Sequence, residues 1–201
     1  MYRITEVVKN LIIINVIMYV AFNVVLSQFG GAMVLFFYTS PSFRVWQPLT
    51  HMFMHASFSH LFFNMLGLFF FGPIVEAVWG SGKFLRYYLI CGIGSFLCQW
   101  AYWYFQYQGS PQLNEVAMLG ASGAVMGVLV GVAMIVPDMM VSLLFPPITM
   151  KMKYMAMAYF ALDLYMGFSN TGNVANFGHI GGAITGFVIA MIWKSQGKLR
   201  S

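Results

Sequence analysis

Residues 116–136 read VAMLGASGAVMGVLVGVAMIV. The run is uncharged, and at about 20 residues it has the length needed to cross the hydrocarbon core of a bilayer. Near its start a hydroxyl, Ser122, sits among the small residues Gly120, Ala121 and Gly123. Gly123, Gly127 and Gly131 then recur at every fourth position. Small residues at that interval let transmembrane helices bring their backbones close together. The stretch therefore predicts a membrane helix built to pack tightly on a neighbour.

Five further runs can span in the same way: 11–27, 58–78, 84–107, 154–168 and 177–193. The last carries a matching glycine row, Gly178, Gly182 and Gly186. Composition agrees with an all-α membrane protein. Charged residues make up 7% of the chain and apolar ones 60%, with a mean hydropathy of +0.77, whereas a soluble domain carries about 25% charged residues. We expect one membrane domain, residues 1–201, with six spanning helices. Residues 28–57, rich in Phe, Pro and Trp, are too broken to span and too apolar for a solvated loop, so they are expected at the membrane interface. The first run lies behind Arg3 and Lys9 as a signal peptide would, but it is longer than a secretory h-region and lacks an A-x-A site, so it reads as a retained helix.

The ten Lys and Arg residues form no stripe that could follow phosphates, so the net charge of +5 does not point to nucleic acid. Their distribution reads as topology instead. Arg3, Lys9, Lys83, Arg86, Lys151, Lys153, Lys194, Lys198 and Arg200 fall on one side of the runs, and Arg44 alone falls on the other. By the positive-inside rule both termini are cytoplasmic, and the second, fourth and sixth runs begin near the outer face. A compact chain of this kind is expected in a bacterial inner membrane. Cys91 and Cys98, seven apart on one helix, lie about 10 Å from each other, too far for a disulfide.

A polar side chain at membrane depth needs a partner or a task. The second run opens with His60 and Asn64, the fourth with Ser122, and the sixth with His179. The topology puts all of them at one level. Serine is a nucleophile when an imidazole takes its proton, and the resulting oxyanion needs preorganised donors. His60 and Asn64, at i and i+4, share a helix face, and the backbone N–H groups at a helix start are unpaired donors. Taken separately, Gly-Ala-Ser-Gly equally suits helix packing, and a His at a helix end equally suits a structural task. His51, His55 and His60 lack a neighbouring carboxylate or Cys and the HExxH pattern, so neither a metal nor any other cofactor is expected.

The string His51-Met-Phe-Met-His55-Ala-Ser-Phe-Ser-His60-Leu-Phe-Phe-Asn64, then Gly120-Ala-Ser122-Gly123, then Gly178-His179-Ile-Gly181-Gly182, resembles the rhomboid proteases in motif, order and spacing. The resemblance implies a six-helix rhomboid fold and an intramembrane serine endopeptidase. Ser122 and His179 would form a catalytic dyad, with His60, Asn64 and the Ser122 backbone N–H as the oxyanion hole. It makes His55 a loop-ordering residue, and it makes a gate of the fifth run, with a lid at about 169–176. Substrates would be transmembrane proteins, reached sideways between the second and fifth runs, with membrane lipids as the other partner. Gln47 stands where the family has an Arg after Trp46. Met126 stands where many relatives have a Tyr stacked on the catalytic His. Near the site, Gly120, Gly123 and Gly182 are expected to be structural. Asp163 invites a Ser-His-Asp triad, but the family uses a dyad, so a structural hydrogen bond or a lipid-headgroup contact is expected. Glu76 is expected to be structural, with Arg86 a possible partner. The rival readings are a non-catalytic relative that binds membrane clients and a small transporter. The latter would need polar residues through the full depth of the helices, whose inner halves are almost entirely apolar.

Overall fold

The computed structural model describes residues 3–143, 147–169 and 175–197. Its long elements are α1 (Glu6–Val20), α3 (Phe58–Trp79), α4 (Ser81–Tyr107), α5 (Ser122–Ile135), α6 (Met152–Ser169) and α7 (Asn176–Ser195), and a one-turn helix, α2 (Gln47–Thr50), lies in the first loop. Glu6–Val25, Phe58–Trp79 and Asn176–Ser195 are long and apolar enough to cross a membrane. The expected lid at 169–176 falls mostly on residues 170–174, outside the described residues.

Local chemistry sets the helix ends. Ser57 caps α3 by accepting the His60 backbone N–H at 3.1 Å. Gly80, at φ +81°, stops α3 and lets α4 begin at the next residue. The first run departs from its expected bounds of 11–27. Its helix starts earlier, at Glu6, and passes through a π-turn over Ala21–Val25. The early start has a cause in Glu76. This buried carboxylate accepts Thr5 Oγ at 2.5 Å, the Val7 and Val8 N–H groups at 3.0 Å each, and Ser81 Oγ at 2.7 Å. Glu76 thereby caps the amino end of α1 from another helix. Arg86 does not pair with it; its Nε donates to the Gly82 carbonyl at 3.0 Å.

The fourth run also departs from expectation. Residues 116–136 do not form one helix; α5 covers only Ser122–Ile135, about 21 Å of rise. The segment ahead of it is diverted into a strand, β2 (Ala117–Met118), paired antiparallel with β1 (Leu35–Phe36) of the first loop. Gly120 then turns the chain at φ +126°, a conformation open to glycine, while its N–H donates to the His51 carbonyl at 2.9 Å. Ser122 is consequently the first residue of a helix that begins inside the bundle. At the other end of α5, β3 (Met140–Ser142) and β4 (Thr149–Lys151) pair antiparallel, and Asp138 meets Lys151 and Lys153 at 2.9 Å each.

The helix α5 is central, packed against α3, α4, α6 and α7. Along α5 and α7 the glycine rows meet as the spacing predicts. A Cβ on Gly182 would be driven into the Gly123 carbonyl, and one on Gly186 would lie 2.9 Å from the Gly127 Cα. Tyr87 of α4 closes the seam by donating its hydroxyl to the Gly127 carbonyl at 2.7 Å. Outward-facing positions are apolar too: Ile13, Ile14, Ile17, Val24 and Val25 are exposed on the first helix, as suits a surface facing lipid tails rather than water.

Candidate active site

The seam delivers Ser122 and His179 to each other. Ser122 opens α5, and His179 lies in the first turn of α7. The His179 Nε2 is 2.8 Å from Ser122 Oγ, with side chains 57 positions apart in sequence. The next shell holds α7 in place. Gln99 of α4, buried in an apolar helix, accepts the Gly178 backbone N–H at 2.9 Å, one residue before His179. Ser95, one turn earlier on α4, fills the space beside Gly123 and Gly178.

On its other nitrogen, His179 Nδ1 lies 3.0 Å from Asp163 Oδ1, and Asn176 Nδ2 donates to the same oxygen at 2.9 Å. Ser122, His179 and Asp163 thus lie in one hydrogen-bonded row. Asp163, expected to make a structural bond or a headgroup contact apart from the pair, instead has the His179 imidazole as a partner.

The His60 ring lies against Gly120, two residues before Ser122; a side chain at Gly120 would touch the ring at 2.8 Å. The Ala56 N–H reaches towards His60 Nδ1 at a long 3.5 Å, and the Nε2 edge of the ring faces Gly120. Asn64 donates one amide hydrogen to the His60 carbonyl at 3.1 Å and retains a second. The Ser122 N–H belongs to the first turn of α5, where backbone donors have no partner within the helix. All of these groups border one cavity of about 510 Å³, with Met126, Val125, Phe63 and Leu162 as apolar lining. Its walls come from α3, α5, α6 and α7. Met126 therefore faces the same space as His179, without an aromatic ring.

Behind this wall His55 is buried with its ring 5.0 Å from that of His60, and its carbonyl accepts Asn23 Nδ2 at 3.0 Å. His51 is buried as well, its Nδ1 at 3.0 Å from the Gln47 carbonyl. Gln47 has a task unlike that of an Arg. Fully buried, it donates to the Ser42 carbonyl at 2.9 Å and accepts the Phe36 N–H at 3.3 Å, while Trp46 Nε1 donates to the Ala32 carbonyl at 3.0 Å. The neutral amide can both donate and accept, and so staples the first loop across itself.

Residues 42–196 match the Rhomboid domain. The chain belongs to the rhomboid family. It is similar to rhomboid protease AarA of Providencia stuartii, 33% identical over 159 residues, covering 74% of this chain and 56% of that protein. It is similar also to rhomboid protease GluP of Bacillus subtilis (strain 168), 33% identical over 151 residues, covering 72% of this chain and 25% of that protein. A shorter stretch of 43 residues is 46% identical to rhomboid protease GlpG of Salmonella newport, 21% of this chain and 16% of that one. The chain spans about half or less of the length of these relatives. Family and apolar helices together make it an integral membrane protein.

Within this rhomboid, Gln99 and Ser95 on α4 are polar residues near the site that the sequence reading passed over, as it did Asn176. The signal for the α4 pair was present: both are polar side chains in an apolar run, the feature that singled out His60, Asn64 and His179.

Proposed function

We propose that this rhomboid is an intramembrane serine protease that hydrolyses peptide bonds in or near the membrane-spanning segments of other proteins, with Ser122 as nucleophile and His179 as general base. The observation that carries the reading is the 2.8 Å separation of His179 Nε2 and Ser122 Oγ inside a cavity bordered by candidate oxyanion donors. As Oγ bonds to the substrate carbonyl carbon, its proton passes to Nε2. The carbonyl oxygen takes the negative charge, and His60, Asn64 and the Ser122 N–H are the donors that would receive it. When the C–N bond breaks, the imidazolium returns the proton to the departing amine, leaving an acyl-enzyme. Water then attacks the acyl carbon while Nε2 accepts a water proton, and Ser122 leaves with that proton restored.

In this reading the chain is one domain of six membrane helices, α5 covering only part of the depth, with both termini cytoplasmic, as the Lys and Arg pattern implies, in the inner membrane of a bacterium. The first loop rests at the membrane interface, consistent with the exposed Phe29, Val45, Trp46 and Leu49 that it presents. Substrate reaches the cavity sideways between α3 and α6, the two walls that pack against α5 rather than extensively on each other among the described residues. A helical carbonyl is already hydrogen-bonded, so segments weakened by small or helix-breaking residues are the preferred targets.

The test uses purified protein in liposomes with a transmembrane substrate and, in parallel, a serine-reactive fluorophosphonate. Ser122→Ala abolishes both cleavage and labelling, and His179→Ala abolishes cleavage, with melting curves unchanged. Cleavage persisting in Ser122→Ala would exclude the mechanism. Folded wild-type protein that neither cleaves nor labels would favour a client-binding protein of the same fold.

A further inference from the structure

Resting on the protease reading above, we infer that Asp163 is a positioning residue for His179, so that the site works as a hydrogen-bonded row of three rather than as an isolated pair. Three observations carry the inference. Asp163 Oδ1 stands 3.0 Å from His179 Nδ1 on the side of the ring opposite Ser122. The same oxygen accepts Asn176 Nδ2 at 2.9 Å, which fixes the carboxylate's position independently of the imidazole. Asp163 is 9% exposed in the middle of a helix otherwise apolar at that level, where a carboxylate is costly without a task.

The chemistry follows from counting protons. An ionised carboxylate only accepts hydrogen bonds, so its contact with Nδ1 requires the proton of the neutral ring to sit on Nδ1. Nε2 then carries the lone pair, directed at the Ser122 hydroxyl, which is the tautomer a general base needs. When the proton of Ser122 moves to Nε2, the ring becomes a cation with N–H bonds at both nitrogens. Asp163 then holds the Nδ1–H in a bond between opposite charges, stronger than the bond it makes to the neutral ring. The stabilisation therefore grows along the reaction coordinate, so that it lowers the barrier rather than tightening ground-state binding. Asn176, at the first position of α7, keeps the carboxylate from rotating away, and it joins α6 to α7 at the level of the site.

Two measurements test this. The first needs no variant. In wild-type protein with nitrogen-15 histidine reconstituted in liposomes, at a pH where the ring is neutral, solid-state NMR reads which ring nitrogen of His179 carries the proton, with His179→Gln used for assignment. The proton is expected on Nδ1, and a proton on Nε2 would overturn the inference whatever the variants do. The second measurement is kinetic. Asp163→Asn keeps shape and removes charge; kcat for a transmembrane peptide is expected to fall about tenfold or more with KM little changed. Asp163→Glu is expected to recover part of the loss. If Asp163 merely ties α6 to α7, Asp163→Asn changes the melting temperature and leaves kcat within about twofold of wild type, and the inference fails. That failure is distinct from failure of the protease reading, which is decided by Ser122→Ala.

Discussion

Gly178 donates its backbone N–H to the Gln99 side chain at 2.9 Å, so the first turn of α7 is held from α4, a helix that contributes nothing to the cavity wall. His179 follows immediately; the Gly178 N–H is shared with the Ala175 carbonyl, also at 2.9 Å, so Gln99 adds to that local bond in setting the aim of His179. Gln99→Met keeps the length and removes the acceptor. The net value of one such bond is about 1 kcal/mol, or roughly a fivefold change in rate if it is felt at the base. Turnover of a transmembrane peptide should fall by that order in Gln99→Met, with KM barely altered. An unchanged kcat with a lowered melting temperature would confine Gln99 to a packing task.

The seam between α5 and α7 predicts a contrast between two glycines. Gly182→Ala drives a methyl into the Gly123 carbonyl, whereas a methyl at Gly82 meets open space. Overpacking of this kind costs about 1 to 3 kcal/mol, and Gly to Ala in an unobstructed helix gains about 0.5 to 1 kcal/mol. Thermal unfolding in detergent should show Gly182→Ala melting well below wild type and Gly82→Ala at or slightly above it. Equal melting points would mean that the helices are not in this close contact.

Glu76 gathers four donors from α1 and from the turn into α4. Glu76→Ala orphans buried backbone N–H groups at the start of α1, at about 1 to 3 kcal/mol for such groups. The melting temperature should drop accordingly, and Glu76→Gln, which keeps one carbonyl oxygen, should lose less. Hydrogen exchange at Val7 and Val8 offers a local check, with protection lost in Glu76→Ala.

Acid should loosen the first loop. Burial pushes the His51 imidazole from 6.5 to about 4, against the pull of the Gln47 carbonyl. Burial, followed by the neighbouring His60, pushes His55 from 6.5 to about 4. Both rings are held neutral, so the folded state takes up protons later than the unfolded chain as pH falls. Their contribution is whole above pH 6.5 and is lost progressively down to about pH 4. Melting temperature measured across that range should decline, and His51→Asn should flatten the slope. A flat profile in wild type would show that these rings are not held neutral by the fold.

Much of this was legible in the sequence because lipid makes the code simple. Long apolar runs located the helices, and α3, α4, α6 and α7 fall within a few residues of the expected 58–78, 84–107, 154–168 and 177–193. The glycine rows foretold the contact that brings Ser122 to His179, because in a membrane close backbone approach has few other causes. The fourth run misled, since hydropathy cannot see that residues 117–118 pair with residues 35–36, a non-local contact. Arg86 was only a possible partner for Glu76; the donors at the start of α1, Thr5 and Val7, lie 71 and 69 positions away, beyond any local pattern. Gln47 stood in the sequence only as a departure from the family's Arg, and its amide binds the loop in a way a guanidinium, which has no acceptor, could not.

The reach of Glu76 also bears on the order in which the protein is made. Thr5 and Val8 lie 71 and 68 residues ahead of the carboxylate that satisfies them. During synthesis α1 leaves the ribosome long before its cap exists, and its first N–H groups must stay hydrated until then. The amino end of α1 can settle into its buried position only once α3 has been inserted and the turn at Gly80 has been made. The amino end of α1 is thus fixed only by a helix made after it.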